Sequence, residues 1–192
     1  MDFCVVDRAR PDLGGNLRGG DSCSFTPTLW RYLIDRFGVR SVLDVGCGEG
    51  HAVAFFNRQG VYAHGIDGLP LNVERAVFPI ALHDLKAGPY TMPVDLVLCV
   101  EVVEHIEECY LESLIKTLSN GRIIAMTHCL PGVDGGHHHV NLQPKEYWVK
   151  HVQQMGYTLA TDNDLYRTIA HAETGPKYFS ESGLVFIRDT AP

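Results

Sequence analysis

The 192-residue chain has six cysteines but no Cys-x-x-Cys pair, no apolar run of membrane-spanning length, no surplus of basic residues and no repeated or low-complexity segment. Each absence removes a class of function. Scattered cysteines (Cys4, Cys23, Cys47, Cys99, Cys109 and Cys129) read as small hydrophobes in a reducing compartment rather than as a zinc site or a disulfide framework. A bilayer span needs roughly 18 consecutive apolar residues, and none is present. The opening Met-Asp-Phe-Cys-Val-Val-Asp-Arg does not run from basic to apolar to small, so the expectation is a cytoplasmic protein with no membrane partner. Acidic residues outnumber basic ones 23 to 16, a formal charge of −7. Because Lys and Arg supply most non-specific affinity for phosphate chains, nucleic acid is not the expected partner.

What is present suits one globular domain, with 45% apolar residues available for a single core. Residues 1–26, with Gly14-Gly15 and Gly19-Gly20, read as an irregular arm, either disordered or folded over a site; residues 27–192 form the domain. Pro27 opens a helix that Gly38 ends. Strands and helices then alternate. Strands are expected at Val42–Val45, Val61–Ile66, Val77–Leu82, Val94–Val100, Arg122–Thr127, Tyr157–Ala160 and Gly183–Ile187. Helices are expected at His51–Gln59, Leu69–Arg75, Glu101–Leu118, from Pro144 to Met155 and at Asp164–Ala172, with a polar loop over 129–143. The alternation implies an α/β fold: a doubly wound sheet of about seven strands, mostly parallel, with helices on both faces.

The sharpest motif is Asp44-Val45-Gly46-Cys47-Gly48-Glu49-Gly50, a strand running through glycines into a helix. Glycines let the backbone turn tightly and approach a ligand, and the helix N-terminus offers free amides. A dinucleotide fingerprint, Gly-x-Gly-x-x-Gly, would need glycine at position 51, where this chain has His51.

With Gly-x-Gly-x-Gly after Asp44, the segment Val42–Gly50 resembles motif I of class I S-adenosylmethionine-dependent methyltransferases, and the likeness extends over residues 27–188. That resemblance implies a Rossmann-like fold whose last strand is antiparallel, and S-adenosylmethionine as cofactor. It places Asp44, Gly46, Cys47, Gly48, Gly50, Asp67, Gly68, His83, Asp84 and Glu101 around that cofactor. Asp67 would accept from the ribose hydroxyls, which also suits a carboxylate at a strand end. Asp84 would meet the adenine amino group. For both, a plain turn residue is the alternative.

Glu101-Val102-Val103-Glu104-His105 is the second informative stretch. On the expected helix Glu101, Glu104 and His105 share one face. Three readings compete: general base or substrate contact by His105, Glu101 and His139; a divalent metal on Glu101, Glu104, His105 and one of the three consecutive histidines, with His138 taken as ligand; or polar residues favoured at a helix N-terminus. Glu-x-x-Glu-His followed by histidines resembles the metal-dependent small-RNA 3′-terminal 2′-O-methyltransferases, yet quinone-biosynthesis methyltransferases carry such a stretch without metal. Tyr147 and Trp148 read as helix core before acceptor pocket. The expected activity is methyl transfer to an oxygen, less so a nitrogen, of a small polar or glycan-like acceptor. The alternatives are a metal-dependent RNA-end methyltransferase and a non-catalytic adenosyl-binding scaffold.

Overall fold

The computed structural model of the chain describes residues 4–132 and 136–189; Gly135 of the polar loop lies outside them. Seven strands build one sheet: β3 (Ser41–Val45), β4 (Tyr62–Asp67), β5 (Ala81–Leu82), β6 (Val94–Cys99), β7 (Gly121–Met126), β8 (Tyr157–Leu159) and β9 (Leu184–Arg188). Their spatial order is β5-β4-β3-β6-β7-β9-β8. Neighbours from β5 to β7 pair parallel, and β9 is antiparallel to both β7 and β8, so β9 alone runs against the rest. This is the expected fold, including the reversed last strand.

Strands covered on both faces need apolar residues at consecutive positions, and the central ones have them. Val42, Leu96, Leu98, Ile123 and Ala125 face one layer. There they meet Leu29, Trp30 and Leu33 of α1 (Pro27–Phe37), Val53 and Phe56 of α2 (His51–Arg58), and Tyr166 of α6 (Asn163–His171). The alternate residues Leu43, Val45, Val97, Cys99, Ile124 and Met126 face the other layer. Leu114, Ile115 and Leu118 of α4 (Leu111–Leu118) and Trp148 and Val152 of α5 (Lys145–Gln153) cover them. Helix α1 starts with Pro27 in its first turn, and Gly38, left-handed at φ 59°, caps its end by donating to the Ile34 carbonyl.

Five expectations change. The helix expected over 101–118 is real only from Leu111; before it the chain makes short 3-10 turns at Val103–His105 and Glu108–Tyr110. Glu101 sits at φ 57°, outside helical space. The Glu104 carbonyl accepts from the Val140 and Asn141 amides instead of from the next helical turn. The strand expected from Val77 shrinks to β5, because the Val77 amide donates to the Glu49 carbonyl, 2.9 Å away. Helix α5 starts one residue after Pro144 and ends at Gln153 rather than Met155. A helical turn absent from the expectation, α7 (Tyr178–Ser182), precedes β9. Where an irregular arm is expected, β1 (Cys4–Val5) and β2 (Asn16–Leu17) make an antiparallel hairpin, and the other described arm residues run in turns and irregular segments. α3 (Pro70–Arg75) follows β4 as expected.

Candidate functional site

A cavity of about 530 Å³ opens above the carboxyl ends of β3, β4 and β6, within the ordinary size range of small-molecule sites. In open α/β sheets this is where ligands bind, and the crevice lies where the strand order reverses between β3 and β6. The glycine loop is its floor. Gly46 and Cys47 both donate to the Ile66 carbonyl, at 2.9 and 3.0 Å, which pins the loop to β4. Gly46 is left-handed at φ 67°, and a Cβ there would lie 2.4 Å from a Val102 methyl, so only glycine allows this crossing. Gly48, at φ 55°, faces the Asn16 side chain of the arm.

Asp67 ends β4 beneath the loop. It accepts from the Gly48 amide (2.8 Å), the Leu69 amide (2.8 Å) and the Asn72 side chain (3.0 Å). Asn16 donates in turn to Asn72 at 3.1 Å, so the arm reaches Asp67 through one relay. Burial lifts the Asp67 carboxyl above its ordinary range despite these donors. Asp44 is buried as well, and burial together with the nearby Asp67 charge pushes its carboxyl up to about 8. Two close buried carboxylates with no cation among their hydrogen-bond partners form a place prepared for positive charge.

Asp44, Gly46, Cys47, Gly48, Asp67, Gly68, His83, Asp84, Glu101, His105 and His139 all line the cavity. Gly50, Glu104 and His138 do not. Gly50 instead turns the chain into α2 at φ 78°, with its open side against Phe78 and Ile80. Cys47 packs its sulfur against Gly65, and burial holds the thiol well above its ordinary pKa. His83 meets the Gly88 carbonyl at 3.0 Å. Both oxygens of Asp84 are engaged: the Lys86 amide donates to one at 2.9 Å and the Arg10 guanidinium to the other at 2.6 Å.

The second stretch is assembled by tertiary contacts, with no helical face. The Thr127 hydroxyl accepts from the Glu101 amide and donates to the Glu101 carboxylate, both at 2.8 Å. Val102 packs against Gly46, which places Glu101 beside the glycine loop. Glu104 is fully buried, and neither of its carboxylate oxygens has a hydrogen-bond partner among the described residues. Burial and the Glu101 charge drive its pKa well up. His105 lies under Gly14, and burial lowers its pKa to about 4, which keeps the ring neutral. Its Nδ1 faces the His138 carbonyl at 3.2 Å, while its ring meets that of His139 edge-on at 4.8 Å.

Of the four residues expected around a metal, the structure groups two. Glu104, His105 and His139 bring one ligand atom each within 4.8 Å of one another. The His138 side chain leaves this group for Glu107, 3.2 Å away, so the third ligand position falls to His139. Glu101 stands outside it.

Several cavity residues carry no motif. Asp21, Trp30, His128, Tyr178 and Glu181 line it from segments distant in sequence. Lys86 sits outside as a clasp, donating to the Asp12 carboxylate and carbonyl and to Glu107 at 2.7–3.0 Å. Ordinary amphipathic spacing hides such residues, since the partners of Lys86 lie 21 and 74 positions away and the Asp21–Tyr178 pair spans 157.

Comparison with known proteins agrees with this geometry. A family model described as a methyltransferase domain matches residues 22–185. The ubiquinone biosynthesis O-methyltransferase of Rickettsia typhi is 36% identical over 75 residues, covering 34% of this chain and 30% of the relative. That of Rickettsia bellii (strain OSU 85-389) is 28% identical over 88 residues, covering 40% and 37%. The chain thus spans about a third of the length of these curated relatives. Among solved structures, the sugar N-methyltransferase KedS8 from a Streptoalloteichus species superposes with a TM-score of 0.62 at 17% identity, over 90% of each chain. The methyltransferase domain of bacterial CtHen1 gives 0.59 at 17% identity, over 86% of this chain and 98% of that one. At such identities these two show a shared fold.

Proposed function

The chain belongs to the methyltransferase-domain family, and we propose from that premise that it transfers the methyl group of S-adenosylmethionine to an oxygen of a small polar or glycan-like acceptor. The observation that carries this is the glycine loop with Asp67 beneath it. When bound, the cofactor supplies an electrophilic methyl group on a sulfonium. The residues present fit it: Asp67 would accept from ribose hydroxyls, Asp44 and Asp67 favour a cationic ligand, and the left-handed loop glycines let the backbone turn tightly along the cavity. Glu101, held by Thr127 next to the loop, takes the proton of the attacking hydroxyl. Arm and loops around the cavity exclude water and orient the acceptor, which supplies much of the rate.

The sugar N-methyltransferase and the ubiquinone enzymes act on different acceptor atoms; oxygen is favoured here because the curated relatives are O-methyltransferases. An RNA end fits less well, since no Lys or Arg lines the cavity among the described residues. A non-catalytic adenosyl-binding scaffold would keep the loop and Asp67 but would have no use for the Glu101 carboxylate beside them. Calorimetry with S-adenosylhomocysteine is the test. Binding in the micromolar range is expected, and no heat at high micromolar ligand sinks the methyltransferase reading.

A second reading adds a divalent cation on Glu104, His105 and His139. The specific support is the pair of unpartnered, buried Glu104 oxygens beside two neutral imidazoles, a donor set that suits Zn, Mn or Fe rather than Mg. Elemental analysis of the purified protein, repeated for Glu104→Gln, decides it: stoichiometric metal lost in the variant supports the site, and metal-free protein removes it.

A further inference from the structure

The cavity has two halves. One lies over β3 and β4 and is used by the cofactor reading. The other is walled by the arm, by α1 and by α7, and the proposed chemistry leaves most of its residues unassigned. We infer that this second half binds an amine-bearing polyol, with Asp21 and Glu181 holding the protonated amine and the Trp30 indole donating to a neighbouring oxygen. The inference rests on the methyl-transfer reading and names the substrate class of the same site.

Charge is the first argument. Asp21, Glu101 and Glu181 line this half, and no Lys or Arg lines any part of the cavity among the described residues. Asp21 is fixed for a ligand: its Oδ1 accepts from the Cys23 amide at 2.8 Å and its Oδ2 from the Tyr178 hydroxyl at 3.1 Å. A phosphate or carboxylate acceptor would meet the Asp21, Glu101 and Glu181 carboxylates here, while the neighbouring Lys177 ammonium donates to the Ser22 carbonyl at 2.6 Å and does not line the cavity.

Trp30 is the second and independent argument. It is 1% exposed, it lines the same cavity, and its indole N–H has no partner. Leaving a buried donor unmade is costly, and a ligand oxygen would recover that cost. The Phe25 ring stands edge-on to Trp30 at 4.8 Å, and Tyr178 lines the same half. Aromatic rings beside carboxylates are how proteins hold ammonium groups. A group held as ammonium has no lone pair for methylation. The amine is therefore the handle, and the methylated atom is a nearby hydroxyl of the same molecule.

The test titrates glucosamine, glucose and glucose 6-phosphate into protein saturated with S-adenosylhomocysteine at pH 7. Glucosamine should bind at least about tenfold more tightly than glucose, the value of one charge-assisted hydrogen bond, and glucose 6-phosphate most weakly. Asp21→Asn with Glu181→Gln should bring glucosamine to within about threefold of glucose while leaving S-adenosylhomocysteine affinity intact. Trp30→Phe should weaken glucosamine and glucose equally. Glucosamine binding no better than glucose, no detectable glucosamine binding, or a preference that survives the double substitution overturns the proposal. The same titration without S-adenosylhomocysteine still reads the amine preference. Failure of the cofactor to bind therefore strikes the methyltransferase reading and is distinguishable from failure here.

Discussion

The two walls of the cavity are built on opposite principles. On the side of β3 and β4, residues 44–50 and 67–69 make the site from local backbone geometry: three left-handed glycines, a strand end and a helix start. On the side of the arm, the site comes from contacts between distant segments: Arg10 with Asp84, Asp12 with Lys86, Glu107 with His138, and the Glu104 carbonyl with the Val140 and Asn141 amides. The first wall depends on sterics that a single side chain can violate. The second depends on many polar links, each replaceable in part. A substitution should therefore act as a switch on the first wall and as a graded weakening on the second.

The largest effect is expected from Gly46→Ala. Its Cβ would collide with Val102 in a left-handed residue, so a loss of about 2–4 kcal/mol is expected. Cofactor affinity should fall by roughly 100-fold, because the loop must move. Gly60→Ala is the control, since Gly60 is also left-handed at φ 77° but has nothing within 4 Å of a Cβ. It should cost about 1 kcal/mol and leave calorimetric affinity for S-adenosylhomocysteine unchanged. Equal damage by both would break the proposed contrast.

Asp67→Ala comes next. It strands the Gly48 and Leu69 amides and the Asn72 amide group, for a loss of about 2–4 kcal/mol by chemical denaturation. Asp44 gives a pH test. Its carboxyl is lifted to about 8, above the ordinary value of 3.8, so the folded state binds the proton more tightly than the unfolded one. That stability is complete below pH 4 and is lost as pH rises through 8, so the ligand-free protein should melt lower at pH 9 than at pH 6. A cationic ligand reverses the preference, and binding at pH 7 should release most of a proton, measured by calorimetry in buffers of different ionisation enthalpy. Asp44→Asn should abolish the release.

On the second wall, Lys86→Met removes donors to Asp12 and Glu107. Cofactor affinity should fall by about tenfold at most, with faster proteolysis within residues 4–25. The smallest effect belongs to Glu112→Ala, which breaks an exposed pair with Lys116 on α4. Neither melting temperature nor cofactor affinity should change measurably.

The contrast explains what the amino-acid pattern disclosed. Val42–Val45, Val94–Cys99 and the glycine loop were legible because buried parallel strands and left-handed turns restrict residue type position by position. Glu101–His105 misled because Val102 and Ile106 fit helical spacing, yet the left-handed Glu101 and the Glu104 carbonyl, captured by Val140 and Asn141, stop a helix there. The choice between His138 and His139 could not be read from three identical neighbours; it follows from Glu107 taking His138 and His105 facing His139.

By itself the sequence determined the mostly parallel sheet and the cofactor-type loop, since these follow from short-range sterics and the periodicity of burial, whereas the reversed last strand came only from the family resemblance. Only the tertiary structure decided which side chains wall the rest of the cavity. Asp21, Trp30, Tyr178 and Glu181 come from segments that local pattern cannot join, and they meet around one cavity only once the chain has folded.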